Sequence, residues 1–275
     1  MKSSTKRNIV QGLFFKFIII CLSILLLSCG QRDSRYQTLT IAGSTSVQPF
    51  AEKLAEVYMQ HHPGLLINVQ GGGSSAGIMA VQQRAADIGA SSRELNEAEK
   101  NLHELVIAWD GIAIIVNPAC KLDDLSLLNL QQIFEGKITN WKALGLAAHG
   151  IHVITREEGS GTRTAFEELV MKKTEITPQA LVQDSNGAVR EIVANDPHAI
   201  GFISCGLVNQ QVKPLAIDSV SPTGINIKKN DYKLTRRFLF VTLNKPEGQI
   251  KDFDDFIISQ KGQMLLEKEG LIGVN

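Results

Sequence analysis

Cysteine is scarce in this 275-residue chain, four residues in all, and none stands in a C-x-x-C pair or a His-rich spacing. The usual zinc and redox motifs are thereby excluded, and neither metal nor other cofactor is expected. Excess basic charge is also missing: 28 Lys and Arg balance 28 Asp and Glu. Nucleic acid and anionic membrane surfaces call for a basic face, so neither fits as a partner. No G-x-x-x-x-G-K-[ST] occurs, because Gly136-Lys137 lacks the preceding glycine, and no G-x-G-x-x-G follows a strand. Those gaps remove a nucleotide-binding enzyme. Internal repeats and low-complexity segments are absent as well.

The N-terminus carries a targeting pattern that must be set aside before the fold is read. Lys2, Lys6 and Arg7 precede an apolar stretch from Phe17 to Leu27, shorter than the ~20 residues of a membrane-spanning helix. Leu26-Leu27-Ser28-Cys29 closes it and resembles the lipobox of bacterial lipoproteins, with small Gly30 following. Residues 1–28 are expected to be a signal peptide, Cys29 the lipidation site and residues 29–37 a lipidated tether. An uncleaved anchor is the alternative; either way the remainder lies outside the cytoplasmic membrane, in the periplasm or at the cell surface. Losing residues 1–28 removes four positive charges and no negative ones, which leaves a net charge of −4. Cys120 and Cys205 then remain, and an exported compartment permits a disulfide without requiring one.

Beyond the tether, apolar β-branched segments alternate with segments of helical period, the rhythm of an α/β fold with a mainly parallel sheet. Leu39-Thr40-Ile41, Leu65 to Val69, Asp87 to Ala90, Ile151 to Thr155, Ala199 to Ile203 and Phe238 to Val241 read as strands. Val47, Phe50, Leu54 and Val57 recur at helical spacing, and Ile250 to Leu265 reads as one amphipathic helix. Val106 to Val116 is an apolar run interrupted at Trp109-Asp110-Gly111, long enough for one strand to pass between two lobes.

Three of these strands stop at glycine and hydroxyl residues just before a helix. The junctions are Gly43-Ser44-Thr45-Ser46, Gly71-Gly72-Gly73-Ser74-Ser75, and Arg156 leading into Gly159-Ser160-Gly161-Thr162. Each offers backbone N–H groups, hydroxyls and a positive helix end, which together suit an anion. One such junction is equally well an ordinary capped helix start. Three, at strand carboxyl ends on either side of the long apolar run, point to one oxyanion held between lobes. Charge-assisted hydrogen bonds are worth about 1.5–3 kcal/mol each, so several donors and an arginine fork offset its dehydration. Arg156 fits the clamp, with Glu157 or Glu158 to fix its rotamer.

A serine hydrolase competes for the second loop. Gly73-Ser74-Ser75-Ala76-Gly77 matches G-x-S-x-G at a strand-to-helix turn, with Asp184 and His198 following in order. The pattern arises easily in any Gly/Ser-rich loop, and no HGGG-type segment accompanies it.

The strings Ala42 to Pro49, Gly71 to Gly77, Asp87-Ile88-Gly89-Ala90-Ser91-Ser92-Arg93 and Arg156 to Thr162 together resemble the phosphate-binding lipoproteins of bacterial phosphate ABC transporters. So do Gln132 to Trp141 and Ala199-Ile200-Gly201-Phe202, and the resemblance runs from about Thr38 to Gly273. It implies a two-lobed fold of the type II periplasmic-binding-protein kind, with the ligand in the interlobe cleft. Residues 38–110 with 243–275 would form lobe I, and residues 111–242 lobe II. The implied function is non-enzymatic: a monomeric receptor that captures inorganic phosphate and delivers it to an ABC permease, touching the membrane through its lipid alone. The implied phosphate-binding residues are Thr45, Ser46, Ser74, Ser92, Arg156, Ser160, Gly161 and Thr162. Well-known members carry, at the position of Ser92, an aspartate that accepts a hydrogen bond from protonated phosphate and so rejects sulfate. A serine there leaves a sulfate-like oxyanion, or a sensor role, as the alternative.

Overall fold

A computed structural model describes residues 37–274, so the signal peptide, Cys29 and nearly all of the tether lie outside the described residues. The chain runs β1 (Gln37–Gly43), α1 (Gln48–Met59), β2 (Leu65–Gly71), α2 (Ser74–Gln82), β3 (Ile88–Ser91) and β4 (His103–Val116). There follow β5 (Asp124–Leu125), α3 (Leu127–Phe134), β6 (His152–Arg156), α4 (Gly161–Phe166), β7 (Leu181–Gln183), α5 (Asn186–Asn195) and β8 (Ala199–Ser204). Then come β9 (Lys213–Pro214), β10 (Ala216–Ile217), α6 (Gly224–Lys228), β11 (Thr235–Thr242), α7 (Gly248–Ile258) and α8 (Gln260–Lys268).

The main sheet has the order β2-β1-β3-β11-β4-β8-β6-β7, with β9 also on β4. β4 joins its two halves. Its first part, through Gly111, pairs antiparallel with β11; from Ile112 to Val116 it pairs with β8. The apolar run is continuous because this second part is covered on both faces. Ile112, Ile114 and Val116 enter one core with Phe134, Phe166 and Phe202, while Ala113 and Ile115 enter another with Val189 and Val193. A separate core gathers Ile41, Phe50, Leu54, Ile88, Phe238 and Phe253 around the first half. β1 pairs parallel with β3, and β6 parallel with β7 and β8, so the loops leaving β1, β3 and β6 all issue from strand carboxyl ends.

Two expectations change. β11 pairs with β3 and with the first part of β4, so residues 235–242 belong to the first lobe and not to the second. The sequence shows only that Phe238 to Val241 is a strand; which sheet it joins is fixed by pairing across more than 100 residues. The C-terminal helix is also two helices, since Ser259 leaves helical geometry at ψ 160° and caps α8 by accepting from the Gly262 N–H. Capping by serine competes locally with helix continuation.

Asp254 on α7 is buried, and its Oδ1 has no hydrogen-bond partner among the described residues. Burial, then the nearby Asp255 charge, push its carboxyl up to about 7, against the pull of Lys251. A folded-state value above the unfolded one stabilises fully below the unfolded range near 3.9 and is lost as pH rises through 7. Asp254→Asn should therefore stabilise the protein by about 2 kcal/mol at pH 8, discounted for partial screening, and leave it nearly unchanged at pH 4. Urea melts at the two pH values check this; an equal gain at both would contradict it.

Candidate functional site

The three Gly/Ser/Thr loops meet. Ser46 and Thr162, on opposite lobes, bring their hydroxyl oxygens to 2.6 Å. Arg156 Nη2 donates to Thr45 Oγ1 at 3.2 Å, and the Ser75 N–H donates to the Gly159 carbonyl at 3.1 Å. Ser74 Oγ accepts from the Ser92 N–H at 3.1 Å and lies 3.4 Å from Ser92 Oγ, to which Ser44 Oγ donates at 2.8 Å. Ser46, Ser74, Ser92, Arg156, Ser160 and Thr162 are all buried. The eight residues expected at the site are thus brought to one place. Gly161 is required there, because an added Cβ would collide with Ser74 Oγ and stand 2.7 Å from Ser92 Oγ. The first-turn N–H groups at Gly161 and Thr162 need acceptors from outside their own helix.

Arg156 is 1% exposed. Glu157 grips it with both oxygens, at 2.9 Å to Nε and 2.9 Å to Nη2, and the backbone carbonyls of Gln183 and Asp184 hold it further. Its rotamer partner is therefore Glu157. Nη1 is left buried with no hydrogen-bond partner among the described residues. An unmet buried donor costs about 1–3 kcal/mol, more when charged, so two such N–H groups amid hydroxyls suit an anion.

Four further residues complete the cluster, none of them among those expected at the site. Asn186, at the start of α5, donates through Nδ2 to Ser46 Oγ at 2.9 Å and to Thr45 Oγ1 at 3.3 Å. Arg236 and Asp110 face one another across β11 and β4, with Nε and Nη2 both on Oδ2 at 3.0 and 2.9 Å. Ser204 closes the group, donating to Asp110 Oδ1 at 2.9 Å. Burial pushes Asp110 up, opposed by the Arg236 charge and by hydrogen bonds from Arg236 and Ser204. Burial also lowers Arg236, a change that the high ordinary value of arginine absorbs. A sequence signal did exist: Asp110 puts a charge inside the otherwise apolar run from Val106 to Val116, and a buried charge needs a partner.

The elements of the serine-hydrolase alternative take other partners. Ser75 Oγ accepts from Arg93 Nη2 at 3.1 Å, and Arg93 is held by Glu99. The His198 ring stacks on His149 at 4.3 Å, and Asp184 contributes its carbonyl to Arg156. Cys120 and Cys205 are both free thiols, and burial pushes Cys205 well up. Among the described residues no group of His, Cys, Asp and Glu is placed to hold a metal ion.

A two-lobed α/β fold with hydroxyls, an arginine and loop backbone at the seam defines a binding protein for a small ligand. The chain belongs to the PBP superfamily, whose domain model matches residues 31–261. It is 30% identical over 264 residues to the phosphate-binding protein PstS of Borreliella burgdorferi, covering 91% of this chain and 94% of that protein. Against PstS of Bacillus subtilis it is 34% identical over 243 residues, 86% of this chain and 81% of that one. A crystal structure of a putative phosphate ABC transporter substrate-binding protein from Clostridium perfringens, with bound phosphate, superposes with a TM-score of 0.84 at 40% identity. It covers 87% of this chain and 100% of that one. These relatives place the chain within the PstS-like members of the superfamily, a family of substrate-binding transport proteins and not of enzymes.

Proposed function

We propose that the chain is an extracytoplasmic lipoprotein that captures inorganic phosphate between its lobes and delivers it to an ABC permease. Residues 38–110 with 235–274 would form one jaw and residues 112–234 the other. The observation that carries the reading is the partnerless, buried Arg156 Nη1 amid the hydroxyls of three converging loops. Thr45, Ser46, Ser74 and Ser92 would grip the anion from one lobe, and Arg156, Ser160, Gly161 and Thr162 from the other. The names and bound phosphate of the relatives support the choice of ion.

The second reading, a sulfate-like oxyanion or a sensor role, has Ser92 behind it, since a hydroxyl stands where a carboxylate would reject sulfate. Equilibrium dialysis of stripped protein with labelled phosphate decides between them. One phosphate bound per chain, resisting a hundredfold excess of sulfate, is expected; displacement by equimolar sulfate would favour the second reading.

Anchoring is proposed through a lipid on Cys29, ahead of the short tether. Among the described residues no helix is long and apolar enough to cross a membrane. Cys29→Ala should move the protein from the membrane fraction to the soluble fraction, or hold it there as an unprocessed precursor of higher mass. Unchanged mass and membrane retention would count against lipidation.

A further inference from the structure

Ser46, Asn186, Ser204, Asp110 and Arg236 close a ring of hydrogen bonds beside the three loops, and the ring decides which way one bond across the cleft runs. Asn186 Oδ1 accepts from the Ser204 N–H at 3.1 Å, a group that can only give, so the amide nitrogen is the end that faces Thr45 and Ser46. Ser204 Oγ donates to Asp110 Oδ1 at 2.9 Å, and Asp110 Oδ2 holds Arg236 Nε and Nη2. Arg236 Nη2 then donates to Ser46 Oγ at 3.2 Å, and Asn186 Nδ2 donates to the same oxygen at 2.9 Å. A hydroxyl has two lone pairs and one proton. Both lone pairs of Ser46 are therefore filled by groups that cannot accept, and its proton has one place to go, Thr162 Oγ1 at 2.6 Å. Thr162 accepts there and keeps its own proton, and its hydroxyl makes no other hydrogen bond among the described residues. All six residues are buried, so water does not compete for these positions.

We propose that Asn186 is a positioning residue: it commits the Ser46 proton to Thr162, so that the Ser46 hydroxyl latches the two lobes while Thr162 turns its own proton onto the bound oxyanion. This rests on the reading of the cleft as a phosphate site. Arg236 alone would leave Ser46 one free lone pair, and the bond between Ser46 and Thr162 could then run either way. Run backwards, it would spend the Thr162 proton on Ser46. A lone pair of Thr162 would face the anion where a charge-assisted hydrogen bond should stand. Asn186 fills the free lone pair of Ser46, and it does so from the second lobe, which also carries Thr162. The donor that fixes the direction and the acceptor that receives the proton thus reach Ser46 together when the lobes meet. Ser46 itself can meet an anion only through its backbone N–H, which donates at 3.2 Å to Ser44 Oγ. Two hydroxyls at the ends of matching loops therefore do different work, Ser46 between the lobes and Thr162 on the ligand.

Two double-mutant cycles test this by calorimetric titration with phosphate, one pairing Asn186→Ala with Thr162→Val and one pairing Ser46→Ala with Thr162→Val. Thr162→Val alone should weaken binding about tenfold or more, the loss of one hydrogen bond to a charged group. Asn186→Ala and Ser46→Ala should each cost about three- to tenfold while Thr162 is present, and less than about twofold once it is valine. A residue that only supports the fold would cost the same in both backgrounds. Thermal melts without phosphate identify any variant that does not fold. Neutron diffraction of phosphate-bound wild type needs no variant: the deuteron on Ser46 should point at Thr162, and that on Thr162 at the phosphate. No loss in Asn186→Ala, losses that multiply in both double variants, or deuterons in the reverse arrangement would overturn the positioning role while leaving the phosphate site intact. Wild type that binds no phosphate would overturn the reading on which it rests.

Discussion

Arg156→Ala should weaken phosphate binding on the order of 10²–10³-fold and leave the protein folded. Removing one partner of a desolvated charge pair costs about 3–5 kcal/mol, and every 1.4 kcal/mol is tenfold in affinity. Arg156 is the only charged side chain with a partnerless buried nitrogen among the cationic residues described, and it also links the lobes through Thr45. The fold should survive because the carboxylate left behind, Glu157, has a side chain 29% exposed and can take water instead. Arg156→Lys should fall between, since an ammonium keeps the charge but loses the planar fork. Calorimetry gives the affinities and a thermal melt without phosphate gives the folding control. Unchanged affinity in Arg156→Ala would remove the clamp from the account.

Gly161→Ala should reduce binding by at least about 100-fold through shape alone, with no charge altered. The added methyl meets Ser74 Oγ and Ser92 Oγ, which belong to the opposite lobe, so relief comes by holding the jaws apart. Within its own lobe, alanine suits the first turn of α4, and the three heavy atoms nearest to the added Cβ all belong to the opposite lobe. The variant should therefore melt like wild type without phosphate and lose the upward shift that phosphate gives to wild type. Small-angle scattering should show that adding phosphate no longer compacts it. Full phosphate-induced stabilisation in Gly161→Ala would mean that the jaws do not close at this point.

The contrast between these residues and the further cluster of Asn186, Ser204, Asp110 and Arg236 shows what a sequence makes legible. Thr45, Ser46, Ser74, Arg156 and Ser160 to Thr162 stand in short strings whose chemistry is local: glycine permits close approach, hydroxyls donate, and a strand-to-helix junction aims them. Asn186 sits in Ser185-Asn186-Gly187, which reads as a turn by composition, although Ser185 caps a ten-residue helix there. Arg236 meets Asp110 across 126 positions and Ser46 across 190, and no local pattern encodes such pairings. Asp110 was the accessible clue, a buried charge inside the apolar run from Val106 to Val116. The fold was legible to the same extent: β4 was visible as one strand long enough to serve both lobes, whereas the side to which β11 belongs emerged only from its pairing. The break at Ser259 lies between these cases, a capping serine inside a pattern whose apolar period continues past it.

The central claim is that three strand-end loops from two lobes hold one phosphate. The most direct measurement is a crystal structure of the stripped protein after addition of phosphate. The account predicts a single tetrahedral ion bonded to Arg156 Nη1, with oxygens at hydrogen-bond distance from Thr45, Ser46 and Ser74 on one side and from Ser160 to Thr162 on the other. A phosphate bound away from Arg156, or contacts confined to the loops of one lobe, would contradict it.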